Sequence, residues 1–137
     1  MAPEIFVDTS GFYAMLVKDD AAHEKAADYV RNAAGNSRFL TTDYVLDETA
    51  TLLKARRHID VLKPFFAVVL NSMACRVVWM HPDLFSTAHA YFLKHSDQDY
   101  SFTDCVSFLV MREQRIKVAL TKDAHFRQAG FEVLPLL

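Results

Sequence analysis

An α/β fold, a short parallel sheet covered by helices on both faces, is predicted by three features of this sequence. Short apolar runs of strand length alternate with longer amphipathic runs of helical period from one end to the other. The strand-like runs are near-continuously apolar, as strands buried on both faces must be. The chain has 137 residues, 52% of them apolar and 11 of them Phe, which is material for the core of one domain.

The elements follow in order. Glu4-Ile5-Phe6-Val7 is a short buried strand that stops at Asp8. Helices are predicted over residues 10–17 and 20–34. Asp19-Asp20 supply N-cap residues for the second, and Gly35-Asn36 its stop. Residues 38–41 read as a strand, 43–56 as a helix and 59–73 as another, with Pro64 bending or breaking the last. Arg76-Val77-Val78-Trp79-Met80 is a β-branched and aromatic strand ending at His81-Pro82. Residues 82–95 suit a helix with Pro in its first turn. A helix over 102–115, a strand over 117–120, a short helix over 124–129 and a strand over 131–134 complete the pattern. No repeat, linker or low-complexity stretch interrupts it, so one domain over residues 1–137 is expected.

Composition excludes several classes. Three Gly and four Pro are too few for a collagen-like or linker chain, and the apolar fraction is too high for a disordered tail. No apolar run approaches the ~20 residues of a membrane span. The opening Met1-Ala2-Pro3-Glu4 lacks the features of a secretory signal, and two cysteines cannot frame a disulfide scaffold, so a cytoplasmic location is expected. Fifteen Lys and Arg against 17 Asp and Glu give −2, with no global basic footprint for nucleic acid. A local patch is compatible with that total.

In a doubly wound sheet, ligands bind beyond the carboxyl ends of the strands, at a topological switch point. Asp8 follows the first strand and Asp123 follows the fourth, so parallel strands bring both carboxylates to one sheet edge. Taken singly, helix capping accounts for either acid. Glu48 falls beside Val45 and Thr49 on the apolar side of its helix, either partly buried or at the rim of the sheet edge. Asp104 lies between Phe108 and Met111 on a helix that is apolar almost all round. A capping box with Ser101 explains the residue type but leaves the carboxylate among large apolar neighbours. Burying an unpaired carboxylate costs several kcal/mol, so a cation or charge partner is expected near it.

Four acids on one edge raise one another's pKa unless a cation intervenes. Hard ions such as Mg²⁺ or Mn²⁺ take such oxygen ligands, together with water and phosphate. The chemistry indicated is metal-assisted hydrolysis of a phosphoester. Phosphate-cradling glycine loops and the nucleophile elbow are absent. The six histidines, His125 among them, fit no zinc spacing and read mostly as surface or helix-face residues. Cys75 and Cys105 read as small apolar packing residues.

In this order along the chain, the motifs resemble those of PIN-domain ribonucleases. Asp8-Thr9-Ser10-Gly11-Phe12 is similar to the family's opening motif and Leu46-Asp47-Glu48-Thr49 to its second. Tyr100-Ser101-Phe102-Thr103-Asp104-Cys105 is similar to its third, and Leu120-Thr121-Lys122-Asp123-Ala124-His125-Phe126 to its fourth. At this chain length the sequence most resembles the VapC-type toxins of type II toxin–antitoxin systems. The resemblance implies a three-layer α/β/α fold and Mg²⁺- or Mn²⁺-dependent endoribonuclease activity. It implies that Asp8, Glu48, Asp104 and Asp123 hold the metal and position the attacking water. Ser10 and Thr121 match hydroxyl positions beside the acids, where local backbone hydrogen bonding explains them equally well. Asp97 and Asp99 are a further acid or a plain polar loop.

Arg56, Arg57, Lys122 and Arg127 are the candidate phosphate contacts, beside Lys54, Arg112, Arg115 and Lys117. Attraction to helix C-termini accounts for basic residues in several of these places. The resemblance also implies a homodimer and a small cognate antitoxin, for which Phe65, Phe66 and Leu70 are candidate anchors, although buried core packing explains those aromatics equally well. Two other functions remain open at this stage: a phosphatase or phosphoacceptor on a doubly wound fold, and a non-catalytic RNA-binding module. Against the first, Ser10 stands where a D-x-D-x-T motif needs Asp; against the second, all four acids are present.

Overall fold

The computed structural model describes residues 3–33, 35 and 37–134; the helix end read at Ala34 and the stop at Asn36 lie outside the described residues. The described elements are β1 (Glu4–Val7), α1 (Thr9–Leu16), α2 (His23–Ala33), β2 (Arg38–Thr42), α3 (Asp43–Ala55) and α4 (Ile59–Asn71). β3 (Cys75–Val78), α5 (Pro82–Lys94), α6 (Phe102–Glu113), β4 (Val118–Leu120), α7 (Ala124–Gln128) and β5 (Glu132–Leu134) follow. The strands form one sheet in the order β3-β2-β1-β4-β5, and every pairing is parallel. The predicted α/β class with a parallel sheet is the observed one.

Successive strand residues point to opposite faces. In β1, Ile5, Phe6 and Val7 are all buried, as are Ala119 and Leu120 in β4, so helices cover both faces of the sheet centre. Phe6 packs toward Phe126, which in turn meets Phe108 of α6 edge-on with ring centroids 5.0 Å apart. Val7 faces the other way, onto an apolar cavity of about 500 Å³ that Phe12, Phe65 and Val69 also line. None of the four predicted site acids lines that cavity.

The chain winds from β1 outward to β2 and β3, then returns to β4 on the other side of β1. The switch point therefore lies between β1 and β4, where Val7 pairs with Leu120 and the Asp8 N–H donates to the Leu120 carbonyl over 3.3 Å. Here α1 comes so close to β4 that a Cβ on Gly11 would collide with the Leu120 carbonyl oxygen.

Several elements depart from expectation: β3 stops at Val78, two residues short of the predicted Met80, and α4 and α6 end at Asn71 and Glu113, each two residues early. Helix α2 begins at His23, because the Asp20 carboxylate accepts from the Ala22 N–H in a turn and binds the Lys122 ammonium at 2.7 Å instead of capping a helix. Strand β2 runs on to Thr42, whose hydroxyl caps α3 by accepting from the Val45 N–H. Pro64 neither ends nor splits α4, which stays helical through it while burying Phe65 and Val69. Burial of that apolar stripe offsets the single helical hydrogen bond Pro removes. On the same helix Phe66 and Leu70 are exposed, whereas Phe65 belongs to the core and is no docking anchor.

Candidate active site

Asp8 occupies the N-cap position of α1, yet its side chain makes no cap hydrogen bond. It is buried, and its Oδ2 accepts instead from the Thr121 hydroxyl at 2.8 Å, across the switch point. A hydroxyl has one proton, so with Asp8 ionised the 3.1 Å contact between Ser10 Oγ and Thr121 Oγ1 is Ser10 donating. Backbone amides complete the relay: Lys122 N–H donates to Ser10 Oγ and Asp123 N–H to Thr121 Oγ1, at 2.8 and 3.0 Å. Ser10 and Thr121 thus do more than bond locally. They join the loop after β1 to the loop after β4 and aim one hydroxyl at Asp8.

Asp104 shows the capping box and the burial together. Ser101 Oγ accepts from the Asp104 N–H, and Asp104 Oδ2 from the Ser101 N–H, each at 3.0 Å. The residue is nevertheless 8% exposed. The box is how the fold holds a carboxylate in an apolar place. Asp123 caps α7, accepting from the His125 N–H at 2.9 Å. Glu48 stands exposed at the rim, of the two positions open to it from the sequence.

Charge coupling links Asp8 to Asp104 and Glu48, and Asp104 to Asp123 and Glu48. Burial pushes the Asp8 carboxyl up from its ordinary value to about 7; the Thr121 hydroxyl and Thr9 N–H oppose this, and the charges of Asp104 and Glu48 add to it. Burial also raises Asp104, with Ser101 opposing, Asp123 adding, His125 opposing and Glu48 adding. Among the described residues, no Lys or Arg pairs with any of the four acids. Oxygen donors in that number, with no Lys or Arg paired to them, fit a hard divalent cation. Burial pushes the thiols of Cys75 and Cys105 up to about 11, which suits packing and not nucleophilic attack.

The basic candidates divide. Lys122 pairs with Asp20, and the Arg56 charge also acts on Asp20. Arg56 lies over the Tyr13 ring, 5.1 Å from its centroid. Arg57 and Arg127 are exposed. Arg112 is engaged internally, donating to the Ala129 carbonyl and lying over the Tyr91 and Phe131 rings. Asp97 and Asp99 are exposed in the loop before α6.

His125 is the residue the sequence reading passed over. Its Nδ1 lies 3.1 Å from Asp123 Oδ1 and 3.3 Å from Asp104 Oδ2, and the ring stands edge-on to Tyr100. Its place two residues after Asp123, at the start of a short helix, was the available signal.

A parallel five-stranded sheet with flanking helices and a group of carboxylates near its switch point defines an α/β domain with an acidic site. The model of the PIN domain family matches residues 5–132, and the chain belongs to that family. It is 36% identical over 132 residues to the 23S rRNA-specific endonuclease VapC20 of Mycobacterium tuberculosis, covering 96% of this chain and 98% of that protein. The crystal structure of VapC20, described as a sarcin–ricin loop cleaving toxin, superposes with a TM-score of 0.82 at 35% identity, covering 93% of this chain and 95% of that one. The fold is also similar to PAE2754 from Pyrobaculum aerophilum (TM-score 0.64, 17% identity, 97% and 90% covered). FitAcB from Neisseria gonorrhoeae is likewise similar in fold (TM-score 0.65, 11% identity, 96% and 97% covered).

Proposed function

We propose that this chain is a metal-dependent endoribonuclease, the toxin of a toxin–antitoxin pair, acting as a single nuclease domain. The observation that carries the reading is the set of Asp8, Glu48, Asp104 and Asp123 around the β1–β4 switch point without a lysine or arginine to balance them. Its likeness over nearly the full length to an rRNA endonuclease makes RNA the substrate class.

In this reading the four acids hold Mg²⁺ or Mn²⁺, which when bound supplies a lowered pKa for water and charge stabilisation at the phosphorus. The chain's own contribution is placement. Thr121 and Ser10 keep Asp8 turned into the site, the Ser101 box keeps Asp104 there, and the α7 cap fixes Asp123. Arg56, Arg57 and Arg127 take phosphates along the strand, and Lys122 joins them on exchanging Asp20 for a phosphate. Phe66 and Leu70, exposed on α4, suit a second copy or an antitoxin, and the cytoplasm is the compartment where such a toxin meets RNA.

The test is cleavage of a sarcin–ricin-loop RNA and of an unrelated single-stranded RNA, with Mn²⁺ and with EDTA, beside a phosphomonoester substrate. Mn²⁺-dependent internal cleavage supports the reading. Phosphomonoester turnover without RNA cleavage replaces it with a phosphatase, and RNA binding without any turnover replaces it with a binding module.

A finer expectation concerns Thr121→Val. The hydroxyl stabilises the ionised form of Asp8, so its loss raises that carboxyl further above about 7. Protons then compete better with the cation for Asp8, so at subsaturating Mn²⁺ the acid limb of the pH–rate profile moves to higher pH, and saturating Mn²⁺ moves it back. A uniform loss across the profile contradicts this role.

A further inference from the structure

Three electron-rich atoms converge beside β4: Asp104 Oδ2, Asp123 Oδ1 and His125 Nδ1, all within 4.8 Å of one another. Asp104 Oδ2 is already fixed by the Ser101 N–H, and Asp123 Oδ1 by the His125 N–H. His125 Nδ1 is sealed from solvent and has no hydrogen-bond partner, although the two carboxylate oxygens are its neighbours at 3.3 and 3.1 Å. Neither contact has hydrogen-bond geometry, so a proton on Nδ1 is poorly used there. With the proton on Nε2, the Nδ1 lone pair faces two anionic oxygens, an arrangement that a cation between them makes favourable. The Tyr100 ring, edge-on at 5.5 Å, holds the imidazole in place.

We propose that His125 Nδ1 is a nitrogen donor to the divalent cation shared by Asp104 and Asp123, and that it biases this site toward transition metals over Mg²⁺. The inference rests on the metal-dependent reading above. Mg²⁺ selects oxygen ligands, whereas imidazole adds affinity for first-row transition ions in the Irving–Williams order. A carboxylate-only set discriminates weakly between Mg²⁺ and Mn²⁺; one nitrogen changes that ranking. Asp8 and Glu48 contribute oxygen only.

The experiment loads the full-length protein with Mn²⁺ and records pulsed EPR for ¹⁴N modulation of the bound ion. Calorimetric titrations with Mn²⁺, Co²⁺ and Mg²⁺ accompany it. Wild type is expected to show ¹⁴N modulation, and His125→Gln to lose it. In the variant, affinity for Mn²⁺ falls about tenfold and for Co²⁺ more, while Mg²⁺ affinity changes less than about threefold. Bound Mn²⁺ without ¹⁴N modulation in wild type overturns the proposal and leaves the metal-dependent nuclease intact. Modulation that persists in His125→Gln also overturns it. Failure of wild type to bind any of the three ions removes both readings. The wild-type spectrum decides the question even if the variant folds poorly.

Discussion

Asp8→Asn is expected to reduce RNA cleavage about a hundredfold or more while making the cation-free protein more stable at pH 8. The first half follows from the proposed role of Asp8 at the metal. The second follows from its burial. An Asp with an ordinary pKa of 3.8 in the unfolded chain and about 7 in the fold binds more protons folded than unfolded between those values. With respect to this group, stability is greatest below about pH 4, declines as pH rises through about 7, and is flat above that. The full penalty is up to about 4 kcal/mol, and the neutral amide removes most of it. Thermal unfolding in EDTA checks this: at pH 8 the variant melts several degrees above wild type, and at pH 5 the gap narrows. Adding Mn²⁺ then raises the wild-type midpoint and leaves that of the variant nearly unchanged. A variant less stable than wild type at both pH values contradicts the placement of a charge in that buried position.

Gly11→Ala is expected to destabilise the fold by about 3 kcal/mol or more, a fall in Tm of about 10 °C. The reason is contact, since the added methyl group meets the Leu120 carbonyl oxygen and not a yielding side chain. Leu120 also pairs with Val7 and Leu134 and accepts from Asp8 N–H, so it is anchored on both sides and gives way poorly. Relief by tilting α1 would carry Ser10 away from Thr121 and loosen Asp8. The substitution is therefore expected to lose activity at temperatures where circular dichroism still reports a folded chain. Wild-type stability and activity would show that α1 moves freely over β4.

The elements that were legible are those whose cause is local. β1 reads directly from Glu4-Ile5-Phe6-Val7, and the Ser101–Asp104 box from a three-residue spacing with two reciprocal hydrogen bonds. Asp8 and Asp123 were legible as neighbours because each follows a strand of one parallel sheet, so topology brings them to the same edge. What was not legible depends on partners far along the chain. Asp20 looks like a cap until Lys122, 102 residues away, claims it. Gly11 looks like an ordinary helix residue until Leu120 is placed beneath it. His125 looked like one of six unremarkable histidines because nothing in its own segment reveals that Asp104 stands opposite. Thr42 belongs to neither element as the sequence is read, and its bond to Val45 makes it both the end of β2 and the cap of α3.

The Ser10–Thr121 relay has a dynamic consequence. Its two amide donors, Lys122 and Asp123, belong to the stretch that leads into α7 and β5, whose three residues pair only with β4 at the sheet edge. Local opening is easiest at such an edge, so fraying of the last strand and helix is transmitted straight to the seat of Asp8. Deuterium uptake at those two backbone positions therefore times how often the seat of Asp8 is taken apart and rebuilt.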